Sequence, residues 1–418
     1  MVTKRIEVRR ASSRLAVPFV AILGPGLLVM LADTDAGSLI TAAQSGTRFG
    51  YEMILPQLLL IPVLYVVQEM TARLGIVTRK GHGALIREHF GQGWALLSGM
   101  TLFLSAVGAL LTEFAGVAGV SDMFGIPRVL AVSIAALFLI AAGVSGSYNR
   151  AERIGIFLGL AELFFLPLLV LSHPHFHAIM TQVTQIPAHN SSYMMLLAAN
   201  VGAVIMPWMI FYQQGAVIDK GLDFRDIKAE RRDTAIGAVL TQLIMVATVA
   251  TFAATAFHVL PGKLDTIAGM ASALQLLMNK TIAKVLLAMA VLGAALVAAL
   301  VASIAGAWGI SEVLGWKHSL NERPNRNNAK FYATYLLAHI LGAVLVIVHV
   351  NLVGLVLDVM VMNALLLPIV LGYLIALEAR ALPRELRMHG FHRWAATSLS
   401  LVVIVFGLYM LPGTLLHL

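Results

Sequence analysis

Residues 24–42 read GPGLLVMLADTDAGSLITA. Two acids, Asp33 and Asp35, stand inside an otherwise apolar run that contains no Lys or Arg, and Arg48 is the only basic residue on its outer side. An ionised Asp near the middle of a membrane costs roughly 2.5–3.5 kcal/mol on insertion scales, so the pair requires a counter-charge. A bound cation is the simplest one. Gly37 and Ser38 follow directly and predict an unwound helix whose carbonyl oxygens complete an oxygen-rich shell.

The composition places that run in a bilayer. Of 418 residues, 59% are hydrophobic and only 12% are Asp, Glu, Lys or Arg, against about 25% charged in a soluble domain. A set of water-soluble domains is excluded. Apolar runs near 16–42, 51–72, 94–120, 129–146, 154–172, 193–218, 234–260, 281–310, 331–350, 352–377 and 394–415 predict an all-α polytopic membrane protein of eleven transmembrane helices. Little chain is left for an extramembrane domain, so function is expected within the membrane.

There is no Cys, which removes disulfides and thiolate metal ligands. The net charge of +8 resembles a nucleic-acid signal, but the basic residues cluster in alternate loops. With a cytoplasmic N-terminus, only Arg48, Arg128, Lys263, Lys280 and Lys284 fall on the outer side, as the positive-inside rule requires. The expectation is a multi-pass protein of a bacterial plasma membrane, N-terminus inside and C-terminus outside, partnered by lipid and not by nucleic acid. Residues 1–15 read as a cytoplasmic segment before an uncleaved first span, because no short apolar core with a small-residue cleavage site occurs there.

The sixth span is interrupted too, at Asn200 to Pro207. Breaks in the first and sixth helices suggest a five-plus-five inverted repeat. One transporter domain, 1–418, is expected, with repeats over 16–172 and 193–377 and an additional helix at 394–415. Pro207 lacks an amide donor and so frees the carbonyl of Ala203, near the thioether of Met206. Carboxylate, carbonyl, hydroxyl and thioether describe a site for a divalent metal, Asp35, Ser38, Ala203 and Met206 being its candidates. Asp33, Glu113, Trp208 and Asn363 are further candidates for the site or its pathway. Each has a plainer alternative: a helix cap for Asp35, a solvated vestibule acid for Asp33, core filler for Met206, a back-bond to the helix for Ser38, an interfacial anchor for Trp208. Glu113 and Glu162 are intramembrane acids that either serve the cation or bond a neighbouring helix in protonated form. His173, His175, His177 and His189 read as a solvated loop, and Asp219, Asp223, Asp226 and Glu230 as a solvated charged face.

Gly24 to Val29, Asp35-Ala36-Gly37-Ser38 and Phe49-Gly50-Tyr51 resemble the first helix of the Nramp metal transporters, whose signature is Asp-Pro-Gly-Asn. Met70 to Gly75 with Arg87 to Phe90 is similar to the next helix and loop, and Ala203 to Trp208 resembles the sixth-helix Ala-x-x-Met-Pro-His. The resemblance implies metal binding by Asp35, Met206 and the Ala203 carbonyl, with Ser38 where the family has a metal-binding Asn. Trp208 and Gln213 replace two sixth-helix histidines, Glu113 stands without a second acid at Gly116, and residues 331–350 lack arginine. These departures resemble the divergent, Mg2+-associated branch without proton coupling, although a thioether favours transition metals. The expected function is therefore import of Mg2+ or Mn2+ by alternating access, with no cofactor and no enzymatic activity. The rivals are a proton-coupled Mn2+/Fe2+ symporter and an amino-acid permease of the same architecture, the latter disfavoured by fixed acids at the break.

Overall fold

The computed structural model describes residues 24–257, 266–348 and 351–415. The basic residues Lys4 to Arg14, the start of the first span and Lys263 lie outside the described residues. Every regular element among those described is helical. The first span is broken into α1 (Pro25–Asp33) and α2 (Ala36–Phe49). It is followed by α3 (Ile54–Thr78), α4 (His82–Phe90), α5 (Gln92–Met123), α6 (Arg128–Gly143), α7 (Tyr148–Gly159) and α8 (Phe165–Leu171). After α9 (Phe176–Gln182), the sixth span is broken into α10 (Ser191–Val204) and α11 (Pro207–Asp219). The chain continues through α12 (Ile227–Ala256), α13 (Ile267–Leu274), α14 (Lys280–Leu314), α15 (Ala329–Val348), α16 (Leu352–Ala381) and α17 (Gly390–Leu415).

Nine helical stretches among the described residues are long and apolar enough to cross a membrane, and Arg128–Gly143 is a shorter apolar helix. One stretch, Ala36–Thr78, is α2 and α3 joined at the turn Gly50–Met53, so these helices account for the eleven spans read from the sequence. The protein is an integral, multi-pass membrane protein.

The broken helices occupy the centre. Every residue of α1 is buried, as is nearly all of α2 and α11, whereas α6, α15 and α17 present Leu137, Leu337 and Val402 outward, as lipid-facing helices do. Two glycines permit backbone contact in this interior. A Cβ on Gly202 of α10 would collide with the Met360 carbonyl of α16, and one on Gly46 of α2 with the Val249 carbonyl of α12. Small residues let membrane helices approach in this way.

Two loop expectations require correction. The segment His173 to Ser192 is more than a loop: it carries α9, and Gln182 Oε1 accepts the Tyr51 amide at 3.2 Å. The acids around the start of α12 are not one solvated face either. Glu230 is buried and accepts from Gln213 Nε2 at 2.6 Å, while Asp219 accepts the Leu320 amide at 2.8 Å. Alternating charge signals exposure only when no neighbouring element covers it, and here α11 and the segment after α14 do.

Candidate metal site

Pro25 at the first position of α1 has no amide to satisfy. Asp233 of α12 takes two amides at that end, its oxygens lying 3.1 Å from Gly24 N and 2.9 Å from Leu27 N. Thus the first half of the first span is clamped at its start and ends at Asp33. Thr34 and Asp35 are non-helical, and Asp35 is the N-cap of α2: its Oδ1 accepts the Ser38 amide at 2.5 Å. The cap alternative for Asp35 is therefore real, but it uses only one oxygen. Oδ2 has no hydrogen-bond partner.

Asp33 is 1% exposed and neither of its carboxylate oxygens has a partner, which corrects the alternative of a solvated vestibule acid. Glu113 of α5 accepts the Ala36 amide at 3.1 Å and the Thr112 hydroxyl at 2.8 Å, which sets its carboxyl beside the same break. Glu162 faces Thr34 without a well-formed bond and is electrostatically linked to Asp35 and Asp33. Four buried acids thus surround one helix break. Among the described residues none of them is paired with Lys, Arg or His. Buried carboxyls without counter-ions must stay neutral or share a cation.

The second break supplies carbonyls. Residue 207 is proline, so the carbonyl of Ala203 has no helical amide, and Ser38 Oγ stands 2.8 Å from it and 2.8 Å from the Asp33 carbonyl. The alternative for Ser38, a bond to a main-chain carbonyl, is present, but it reaches across both breaks, to α1 and to α10, and not back along α2. Met206 is the N-cap of α11, and its sulfur accepts from Trp208 Nε1 at 3.2 Å. Trp208 is fully buried, which overturns the interfacial-anchor alternative. Asn363 of α16 is buried, with Oδ1 held by Ser105 Oγ at 2.9 Å and Nδ2 unpartnered.

The structure therefore joins Asp35, Ser38 and the carbonyls of Asp33 and Ala203 in one hydrogen-bonded group, with Glu113 bound to the adjoining Ala36 amide. Met206 adjoins it through the α10–α11 break, and Asn363 is turned towards α5. Among the described residues no three His, Cys, Asp or Glu side chains converge as a metal centre, so a cation here depends on main-chain carbonyls and the hydroxyl as well as carboxylate. The exposed His173, His175, His177 and His189 form no such centre. Sequence reasoning missed a buried amide chain: Gln57 Nε2 donates to Asn200 Oδ1 at 2.5 Å, and Asn200 Nδ2 to Ser45 Oγ at 2.7 Å. Its signal was available, since amides in an apolar span carry a desolvation cost just as acids do.

Residues 26–412 match the family described as Nramp, natural resistance-associated macrophage protein-like. The chain belongs to the Nramp family. It is 28% identical over 214 residues to the divalent metal cation transporter MntH of Verminephrobacter eiseniae, covering 50% of this chain and 48% of that one. It is 30% identical over 248 residues to MntH of Ralstonia nicotianae, covering 56% of each. The matched region thus spans about half the length of these curated relatives. The fold is similar to that of an Eremococcus coleocola manganese transporter, with a TM-score of 0.76 at 19% identity over 94% of this chain and 86% of that one. A Na+-coupled sialic acid symporter shares it more distantly, with a TM-score of 0.61 at 15% identity over 94% and 89% of the chains. This Nramp chain accordingly has the inverted-repeat transporter fold with broken first and sixth helices.

Proposed function

We propose that this Nramp chain is a divalent metal transporter, not an enzyme, that imports Mg2+ or Mn2+ by alternating access between its two broken helices. The observation that carries the reading is the group of buried acids without counter-ions at the α1–α2 break, joined through Ser38 to the Ala203 carbonyl, which no helical amide meets. Asp35 supplies the principal charge, Ser38 and the Ala203 carbonyl supply hard oxygen donors, and Met206 biases the choice of ion towards transition metals. Asp33 adds charge to the same break, and Glu113 lines it from α5, anchored by the Ala36 amide and the Thr112 hydroxyl. The names of the MntH relatives support a divalent metal as cargo.

Transport proceeds without obligatory proton movement on this reading. Trp208 and Gln213, at the two family histidine positions, have no group that titrates near neutral pH, and α15 carries no arginine. The positions that the resemblance associates with a proton relay thus carry no basic group, and the histidine of α15, His339, packs on Phe114 instead. The metal enters down its electrochemical gradient, drawn by about 2.3 kcal/mol per charge per 100 mV of negative-inside potential. The basic loops support an N-terminus inside and a C-terminus outside, and a single transporter domain over 1–418. The first test is uptake of Mn2+ and Mg2+ into proteoliposomes. Accumulation above protein-free vesicles, driven by an inside-negative potential, is expected; no metal entry for either ion, with entry of an amino acid instead, would overturn the reading.

A further inference from the structure

On the basic face of the molecule, away from the helix breaks, a cavity of about 310 Å³ opens between α3, the start of α12 and the α16–α17 connection. Its polar lining comprises Glu69, Arg73, Arg231, Arg387, His389 and His392, with Tyr65 and Val66 as an apolar wall. Its acceptors are already engaged. Glu69 Oε1 takes Arg73 Nε at 3.0 Å and Arg231 Nε at 2.8 Å, and Oε2 takes the second Arg73 nitrogen at 3.3 Å. Behind them, Glu378 Oε1 binds Arg73 at 3.2 Å and the Met388 amide at 2.6 Å.

The donors are not exhausted. Arg231 uses only Nε on Glu69, and Arg387 only Nε on the Leu382 carbonyl at 2.8 Å. The terminal guanidinium nitrogens of both, and the rings of His389 and His392, have no partner among the described residues. A cavity whose carboxylates are neutralised and whose remaining polar groups can each donate a hydrogen bond suits an oxyanion, and planar guanidiniums match phosphate oxygens in particular. Arg231 is about half exposed, at 48% of its side chain. The cavity lies where basic helix ends meet an apolar wall, which is where lipid phosphates sit.

We propose that this cavity binds the phosphate of an anionic phospholipid headgroup, with Arg231 and Arg387 as its principal contacts. The proposal is independent of the transported ion. It is tested by native mass spectrometry of the full-length protein in mild detergent, loaded with phosphatidylglycerol or with phosphatidylcholine of identical acyl chains. Preferential retention of phosphatidylglycerol is expected, with about fivefold weaker retention for each of Arg231→Gln and Arg387→Gln. Equal retention of the two lipids, or undiminished retention by the double variant, would overturn it. Displacement by inorganic phosphate at equal concentration would overturn the lipid assignment in favour of a soluble phosphate. Should the arginine variants fail to fold by size exclusion, the double variant His389→Gln and His392→Gln, which touches no ion pair, decides: weakened selectivity supports the site and unchanged selectivity refutes it.

Discussion

Ser38 has one hydroxyl proton and two carbonyls, of Asp33 and Ala203, within 2.8 Å. It can donate to only one at a time, so one carbonyl oxygen at the meeting point of the broken helices is always short of a donor. On the proposed reading, a cation entering there would gain two carbonyls, a hydroxyl oxygen and the free oxygen of Asp35 without breaking a helix. Met206 contributes differently. The bond from Trp208 fixes the orientation of its sulfur and leaves a lone pair for a soft ion. Met206→Ala is therefore expected to weaken Mn2+ and Cd2+ binding about tenfold and Mg2+ binding much less, as read by competition titrations. Equal weakening of all three ions would make Met206 a packing residue.

At the scale of elements, the breaks were legible because they violate a rule that the rest of each span obeys. Two acids in an apolar run and a proline beside a methionine are conspicuous in one dimension. What covers an element is not. Glu162 gave no sign that it would face Thr34, and nothing in the spacing of Asp233 announced that it would clamp the start of α1 across more than two hundred residues. Glu230 was misread because its charged neighbours resemble a solvated helix start. The junction of α4 with α11 is another buried arrangement of this kind. Gln214 Nε2 donates to the Lys80 carbonyl at 2.7 Å, which orients its oxygen to accept from His82 Nδ1 at 3.0 Å. Burial pushes the His82 imidazole down from 6.5 to about 4. The folded state therefore keeps it neutral where the unfolded chain protonates it, so its contribution is complete above pH 6.5 and is lost as pH falls towards 4. The loss is about 1.4 kcal/mol for each pH unit of that window. Thermal unfolding in detergent should show this slope, and His82→Gln should flatten it; an unchanged slope would place the titrating group elsewhere.

For the whole molecule, the apolar composition and the eleven spans were readable because a bilayer imposes length and hydrophobicity on every crossing. The packing of the two breaks against each other was inferred only from their five-helix separation. Coupling is a property at this scale, since it needs both a titrating group at the site and a route for its proton. With a pH dye inside proteoliposomes and the membrane potential clamped, metal uptake is expected to leave the lumenal pH unchanged. Acidification that scales with uptake and disappears in Glu113→Gln would establish proton coupling instead. The central claim is that the α1–α2 break binds the transported ion through Asp35, and calorimetric titration of Mn2+ into purified Asp35→Asn beside the unmodified protein tests it most directly. The account predicts saturable binding to the unmodified protein and none to the folded variant; equal binding to both would contradict it.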